Sequence, residues 1–369
     1  MTRAGGEAQR RRRAAEPLER QAGWCRALGS PLYADLLTRA AVDCAAGGAT
    51  WDVLAGREDD APESVLALRL TGAVHRLALD GRAPALARHY PSAGGNPGTD
   101  AEVWAAFRDV LEAERDALRA LVLEPVQTNE VGRSACLLGG FLAVARESGL
   151  PLRLLEIGSS AGLNLRFDRF RYEGGGVAWG DPAASVRLTG IFDGPPADLR
   201  GELRVASRAG CDARPVDPVA EPGRLTLRSF LWPDQVERRA RLDAALEVAA
   251  TVPASVERAD ACDWLEQRLA PGPARGAATV VFHSIVLQYL GRERAARLPT
   301  LLADAGARAS AAAPLAWLRL EPVLLPDGGL AFRVLLTTWP GGRERVLAAC
   351  SAHGPPVSWL DEESRCSSP

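Results

Sequence analysis

The chain has 369 residues, 47% of them hydrophobic and 24% charged, long enough for about two domains and ordinary enough in composition to exclude a disulfide-stapled mini-protein or a charge-rich disordered chain. Forty-four basic against 46 acidic residues give a formal net charge of -2, so no global positive field draws in nucleic acid or an anionic membrane. Every basic residue is arginine, which removes Schiff-base lysine chemistry and phosphate loops of the GKS or GKT kind.

The N-terminal MTRAGGEAQRRRRAAEPLERQ lacks the apolar core of a signal peptide, and no later stretch approaches about 18 consecutive apolar residues. A cytoplasmic protein without a membrane partner is therefore expected. Residues 1–15 are expected to be disordered, with the arginine run 10–13 a solvated lead into a helix. Residues 1–125 carry apolar positions at helical spacing: Val65, Leu68, Ala73 and Leu77 after Pro62, then Val103, Phe107, Val110, Leu111, Leu118, Leu121 and Val122 in one helix over 102–122. SAGGNPGTD at 92–100 supplies the loop between them. This part reads as a helical domain. The cysteines at 25, 44, 136, 211, 262, 350 and 366 form no CxxC pair and no zinc spacing, so they are read as reduced thiols and no metal site is expected.

Residues 126–369 change character. Thr128 or Asn129 can cap a helix that Gly149 ends and Pro151 blocks. LRLLEI (152–157) is a short apolar run of the buried parallel type, and it leads through GSSAG into NLRFDRFRY, which can continue as a helix. Further strand runs lie at 202–207, 255–259, 278–286, 314–321 and 330–339, with helical patterns at 233–250 and 292–309. Alternation of this kind predicts an open α/β sheet with ligands at the carboxyl ends of its strands.

The chemistry-bearing segment is Glu156-Ile157-Gly158-Ser159-Ser160-Ala161-Gly162. A strand ending in an acid, followed by glycines four apart, lets the backbone turn tightly and a ligand approach it. This resembles the first motif of the class I, Rossmann-like methyltransferases, with Ser160 where that family has its middle glycine. The resemblance implies a Rossmann-like methyltransferase sheet with flanking helices and bound S-adenosylmethionine. It further implies that Asp212, after the second strand, accepts the ribose hydroxyls, that Asp260-Ala261 lies beside adenine, and that Glu156, Gly158, Ser160, Gly162 and Asn164 surround the cofactor. His283 at the end of the fourth strand is then the base or acceptor-orienting group, with Tyr289 the second choice. The stretch from Gly158 to Asp212 exceeds one strand–helix–strand, so an insertion is inferred at about 171–200. Asn129, Glu130 and Arg133 before the first strand, and Tyr172, Trp179 and Asp181 in the insertion, are substrate-side candidates. The chain from QTNEVGR to WPGG also resembles an uncharacterised bacterial family of unknown function, which implies no substrate.

The expected activity is methyl transfer to an unidentified small or medium acceptor, an in-line displacement that positioning largely accelerates. A second class stays open, a non-catalytic Rossmann-like domain binding a nucleotide-like ligand or a protein. A third follows from G-x-S-x-G, the nucleophile elbow of α/β-hydrolases, with Ser160, Asp327 and His353 in the required order. Against it, residues 1–125 supply no earlier strands and no HGGG oxyanion segment.

Overall fold

The computed structural model describes residues 3–193, 198–326 and 328–360. The first helices are α1 (Arg3–Ala27), α2 (Pro31–Ala46), α3 (Ala49–Leu54), α4 (Leu66–Leu79), α5 (Pro84–Ala87), α6 (Asp100–Ala113) and α7 (Arg115–Leu121). Then come α8 (Arg133–Ser148), β1 (Leu152–Ile157), a 3-10 helix (Asn164–Arg169), β2 (Arg171–Gly174), β3 (Val177–Trp179), β4 (Arg187–Thr189), β5 (Val205–Asp212), α9 (Glu221–Ser229) and α10 (Val236–Thr251). The rest is β6 (Ser255–Arg258), α11 (Ala261–Leu269), β7 (Ala278–Ser284), α12 (Leu287–Leu290), α13 (Arg292–Gly306), β8 (Leu315–Leu324), β9 (Leu330–Trp339), β10 (Arg343–Ser351) and β11 (Gly354–Trp359). The chain divides into two units, Met1–Thr128 with Ala220–Ala240, and Asn129–Val219 with Arg241–Pro369. The boundary expected near residue 125 lies close to the first break, whereas the inclusion of 220–240 in the helical unit leaves no mark in the sequence.

The helical unit starts earlier than its charge suggests. Where a disordered tail is expected to residue 15, α1 runs from Arg3. Ala14, Ala15 and Leu18 are buried in the core, and the arginine run is neutralised locally, Arg10 by Glu58, Arg13 by Asp59 and Arg11 by Glu7. The expected helix 102–122 is broken at Glu114, between α6 and α7. Thr99 and Glu102 close a reciprocal capping box at the start of α6. Trp232 is 5% exposed within this core, an anchor, as its large apolar area favours.

The second unit is built on an eight-stranded sheet in the order β11-β10-β9-β8-β7-β1-β5-β6. The five strands from β8 to β6 are parallel, and β9, β10 and β11 extend the edge as an antiparallel meander. LRLLEI and ATVVFHS are apolar on both faces because both are covered. Leu155, Ile157, Val281 and Trp317 pack with Leu265, Leu298 and Leu302 of α11 and α13, while on α8 a Cβ at Gly140 would collide with Leu318. Inside the expected insertion, β2, β3 and β4 form a separate small sheet in the order β3-β2-β4.

Candidate functional site

From β1 the chain moves outward through β5 to β6, and from β7 it moves the other way to β8. The β1/β7 boundary is therefore the switch point where an open α/β sheet receives ligands. Two of the three described non-glycine residues with positive φ sit there: Ser160 (52°) after β1 and the β-branched Ile285 (56°) after β7. Such conformations cost about 1–3 kcal/mol each and persist where the surroundings impose them.

The loop after β1 alternates handedness, with Gly158, Ser160 and Gly162 all at positive φ. Ser159 Oγ donates to the Glu156 carbonyl at 2.8 Å, and a Cβ at Gly210 of β5 would collide with that hydroxyl. Asp212 is a second clamp: its Oδ2 accepts the Ser160 N–H and its Oδ1 the Arg214 N–H, each at 2.8 Å. Arg166 is a third, donating from Nε to the Val252 carbonyl and from Nη1 to the Gly162 carbonyl, each at 2.7 Å. Asn129 Oδ1 accepts the Leu163 N–H at 2.9 Å, and Asn164 Nδ2 donates to the Glu130 carbonyl at 3.2 Å. The expected helix after this loop is instead the short 3-10 helix, with Arg166 off helical geometry at φ -106°.

Two polar groups of the loop region are buried without a hydrogen-bond partner, Glu156 Oε2 and Asn164 Oδ1. Burial pushes the Glu156 carboxyl well above its ordinary range; the Arg166 guanidinium opposes this and the Asp212 carboxylate reinforces it. A buried carboxyl with an unsatisfied oxygen is receptive to a ligand's polar group.

His283 does not face this loop as an open base. It is fully buried, its Nδ1 lies 2.8 Å from Glu321 Oε1, and the Trp317 indole N–H donates to its Nε2 at 3.0 Å. Because Nε2 accepts, Nδ1 carries the proton and donates to Glu321. The same Glu321 oxygen accepts the Val286 and Leu287 N–H groups. The imidazole thus serves the turn after β7, whose Val286 a Cβ at Gly158 would meet at 2.6 Å. Tyr289, on α12, is 49% exposed.

The other expected site residues spread further. Asp260 caps α11, accepting the Cys262 and Asp263 N–H groups on Oδ1 and pairing with Arg294 at 2.5 Å through Oδ2; Ala261, 6% exposed, is packed beside it. Glu130 accepts the Gly132 N–H, and Arg133 donates to the Ala352 and Ser284 carbonyls at 2.9 and 3.0 Å, so both hold backbone together. Tyr172 is fully buried with its hydroxyl on the Phe167 carbonyl, and Trp179 stacks toward Phe167 at 6.4 Å, which makes them the core of the small sheet. Asp181 is exposed and caps Ala183. Of the hydrolase trio, Asp327 lies outside the described residues.

Residues 15–359 match the family model described as "Uncharacterized protein conserved in bacteria (DUF2332)". The chain belongs to this family. No curated protein and no solved structure matches it. Residues that sequence reading missed in this DUF2332 chain are Arg166, Ser159, Gly210, Trp317 and Glu321. Gly210-Cys211-Asp212 offered the one signal, a glycine just before an acid at a strand end. Arg166 resembled any other arginine, and the Trp317–His283–Glu321 chain joins two strands distant in sequence. Among the described residues, no helix is long and apolar enough to cross a membrane, and no group of three or more His, Cys, Asp or Glu could hold a metal ion.

Proposed function

We propose that the chain binds S-adenosylmethionine at the carboxyl edge of β1, β5 and β7 and transfers its methyl group to a small or medium acceptor. The observation that carries the reading is the buried Glu156 carboxyl, whose Oε2 has no hydrogen-bond partner, beside a loop of alternating positive φ at the switch point. Asp212 also fits: each carboxylate oxygen spends one lone pair on backbone and keeps one for a ribose hydroxyl. Asn164 Oδ1 adds a buried acceptor without a partner. When bound, S-adenosylmethionine supplies an electrophilic methyl group. The chain's own residues orient: Arg166 and Asp212 fix the loop, and Tyr289, exposed on α12, is the group left to orient or deprotonate an acceptor.

A second reading is binding without turnover, favoured by His283, whose two nitrogens are both consumed by Trp317 and Glu321. Calorimetry of the purified chain with S-adenosylmethionine and S-adenosylhomocysteine tests the first step. Saturable binding of both is expected, and no heat with either sinks the proposal. Release of S-adenosylhomocysteine on incubation with acceptor mixtures then separates an enzyme from a binding protein.

A further inference from the structure

One face of α8 is seated on the β10–β11 hairpin at successive turns. Just before the helix, a Cβ at Gly132 would meet the His353 carbonyl oxygen at 2.6 Å; Arg133 Nε donates to the Ala352 carbonyl at 2.9 Å; and a Cβ at Gly139 would collide with the Trp359 ring. Positions 132, 136 and 139 fall three to four apart, hence on one helix face. Cys136 lies between the outer contacts, and Cys350 of β10 lies between Ala348, which pairs with Trp359, and Ala352, whose carbonyl Arg133 holds, so both thiols belong to the same helix–hairpin contact. Both are free, Cys136 fully buried and Cys350 partly exposed.

We propose that Cys136 and Cys350 form a reversible disulfide, driven by a low-molecular-weight disulfide of the glutathione type, that staples α8 to the β10–β11 hairpin. Exposure makes Cys350 the entry point. Its thiolate attacks one sulfur of the small disulfide, forming a mixed disulfide and expelling one small thiolate, which takes up a proton. Cys136 then gives up its proton and attacks the Cys350 sulfur, expelling the second small thiol. The pair loses two electrons and two protons, and one small disulfide becomes two thiols. Burial and the adjacent Cys350 thiol hold the Cys136 thiol well above its usual range, so it acts as the resolving partner, not the first attacker. The staple lies one helical turn from Arg133, whose grip on the Ser284 carbonyl reaches the end of β7.

Because the chain contains no lysine, trypsin cuts it only after arginine, which puts Cys136 in peptide 134–146 and Cys350 in peptide 346–365, each with a single cysteine. The test is to treat the native full chain with oxidised glutathione, block free thiols, digest and map by mass spectrometry. The expected product is 134–146 joined to 346–365, lost on reduction and absent in Cys350→Ser. Cys136→Ser should instead leave 346–365 carrying glutathione. Wild-type peptides recovered unlinked, Cys350 carrying only glutathione, or Cys350 joined to any other cysteine would each overturn the proposal. The wild-type map decides even if a variant does not fold.

Discussion

The Asp212 carboxylate holds the Ser160 N–H at 2.8 Å and thereby ties the tip of β5 to the loop after β1. Its other oxygen holds Arg214, so the side chain faces two backbone donors and wants two acceptors. Asp212→Asn turns one acceptor into an NH2 group pointing at a donor. Losing one charge-assisted bond should lower unfolding free energy by about 1–3 kcal/mol in urea titrations and weaken S-adenosylmethionine by a similar amount in calorimetry. Equal stability and equal affinity in the two proteins would remove Asp212 from both roles.

Glu156 gives stability a pH dependence of predictable sign. Burial raises its carboxyl well above the ordinary value of 4.5, with Arg166 opposing and Asp212 reinforcing. Above about 4.5 the unfolded chain releases this proton while the folded chain keeps it, so the folded state binds more protons and its stability falls as pH rises. The slope approaches about 1.4 kcal/mol per pH unit between the unfolded and folded values. Glu156→Gln cannot titrate. Relative to wild type it should gain stability as pH rises above about 4.5, read from urea midpoints at each pH. Parallel curves for the two proteins would mean that Glu156 ionises normally in the fold.

Several strands of the large sheet were legible as short runs rich in apolar residues: β1 and β9 fall on the expected segments, and β6, β7 and β8 nearly so. β5 begins and ends later than expected, because pairing with β1 from Val205 to Cys211 decides its extent. β10, with its charged start, and β11, with two prolines, look like loop until strand pairing fixes them. The loop at 158–162 announced itself through glycine, which positive φ favours. Its clamps did not: a guanidinium capping carbonyls and a carboxylate gripping amides have no local signature. His283 misled for the opposite reason. A histidine at a strand end looks available until its buried neighbours, Trp317 and Glu321, are known.

His283 should therefore behave as a stability residue. His283→Ala removes the bonds to Glu321 and Trp317 and leaves a buried indole N–H without its acceptor. The expected cost is about 2–4 kcal/mol of unfolding free energy, with a lowered thermal midpoint. Trp317→Phe removes one of those bonds without opening a large cavity and should cost less, about 1–2 kcal/mol. Full stability together with lost turnover in His283→Ala would restore the histidine to a catalytic role.

Ser160→Gly separates the two enzymatic uses of the loop. Ser160 adopts φ 52°, which costs a non-glycine residue about 1–2 kcal/mol, while glycine brings an entropic cost of about 0.5–1 kcal/mol. The two nearly offset. The loop's described backbone bonds at this position, the N–H to Asp212 and the carbonyl from Val216, do not need the side chain. Stability within about 1 kcal/mol of wild type and retained S-adenosylmethionine binding are expected. Gly162→Leu is a harsher probe, because at φ 66° its Cβ would already meet Val256 at 2.8 Å, so loss of binding there would also report local unfolding. In the hydrolase reading Ser160→Gly deletes the nucleophile and should cost orders of magnitude in ester turnover. A fluorophosphonate probe discriminates directly. Labelling of wild type that disappears in Ser160→Gly, with no S-adenosylmethionine binding, would make the serine the reactive group. The expected result is no labelling, because residues 1–125 supply no HGGG oxyanion segment and the elbow's required helix is replaced by the 3-10 turn at Asn164–Arg169.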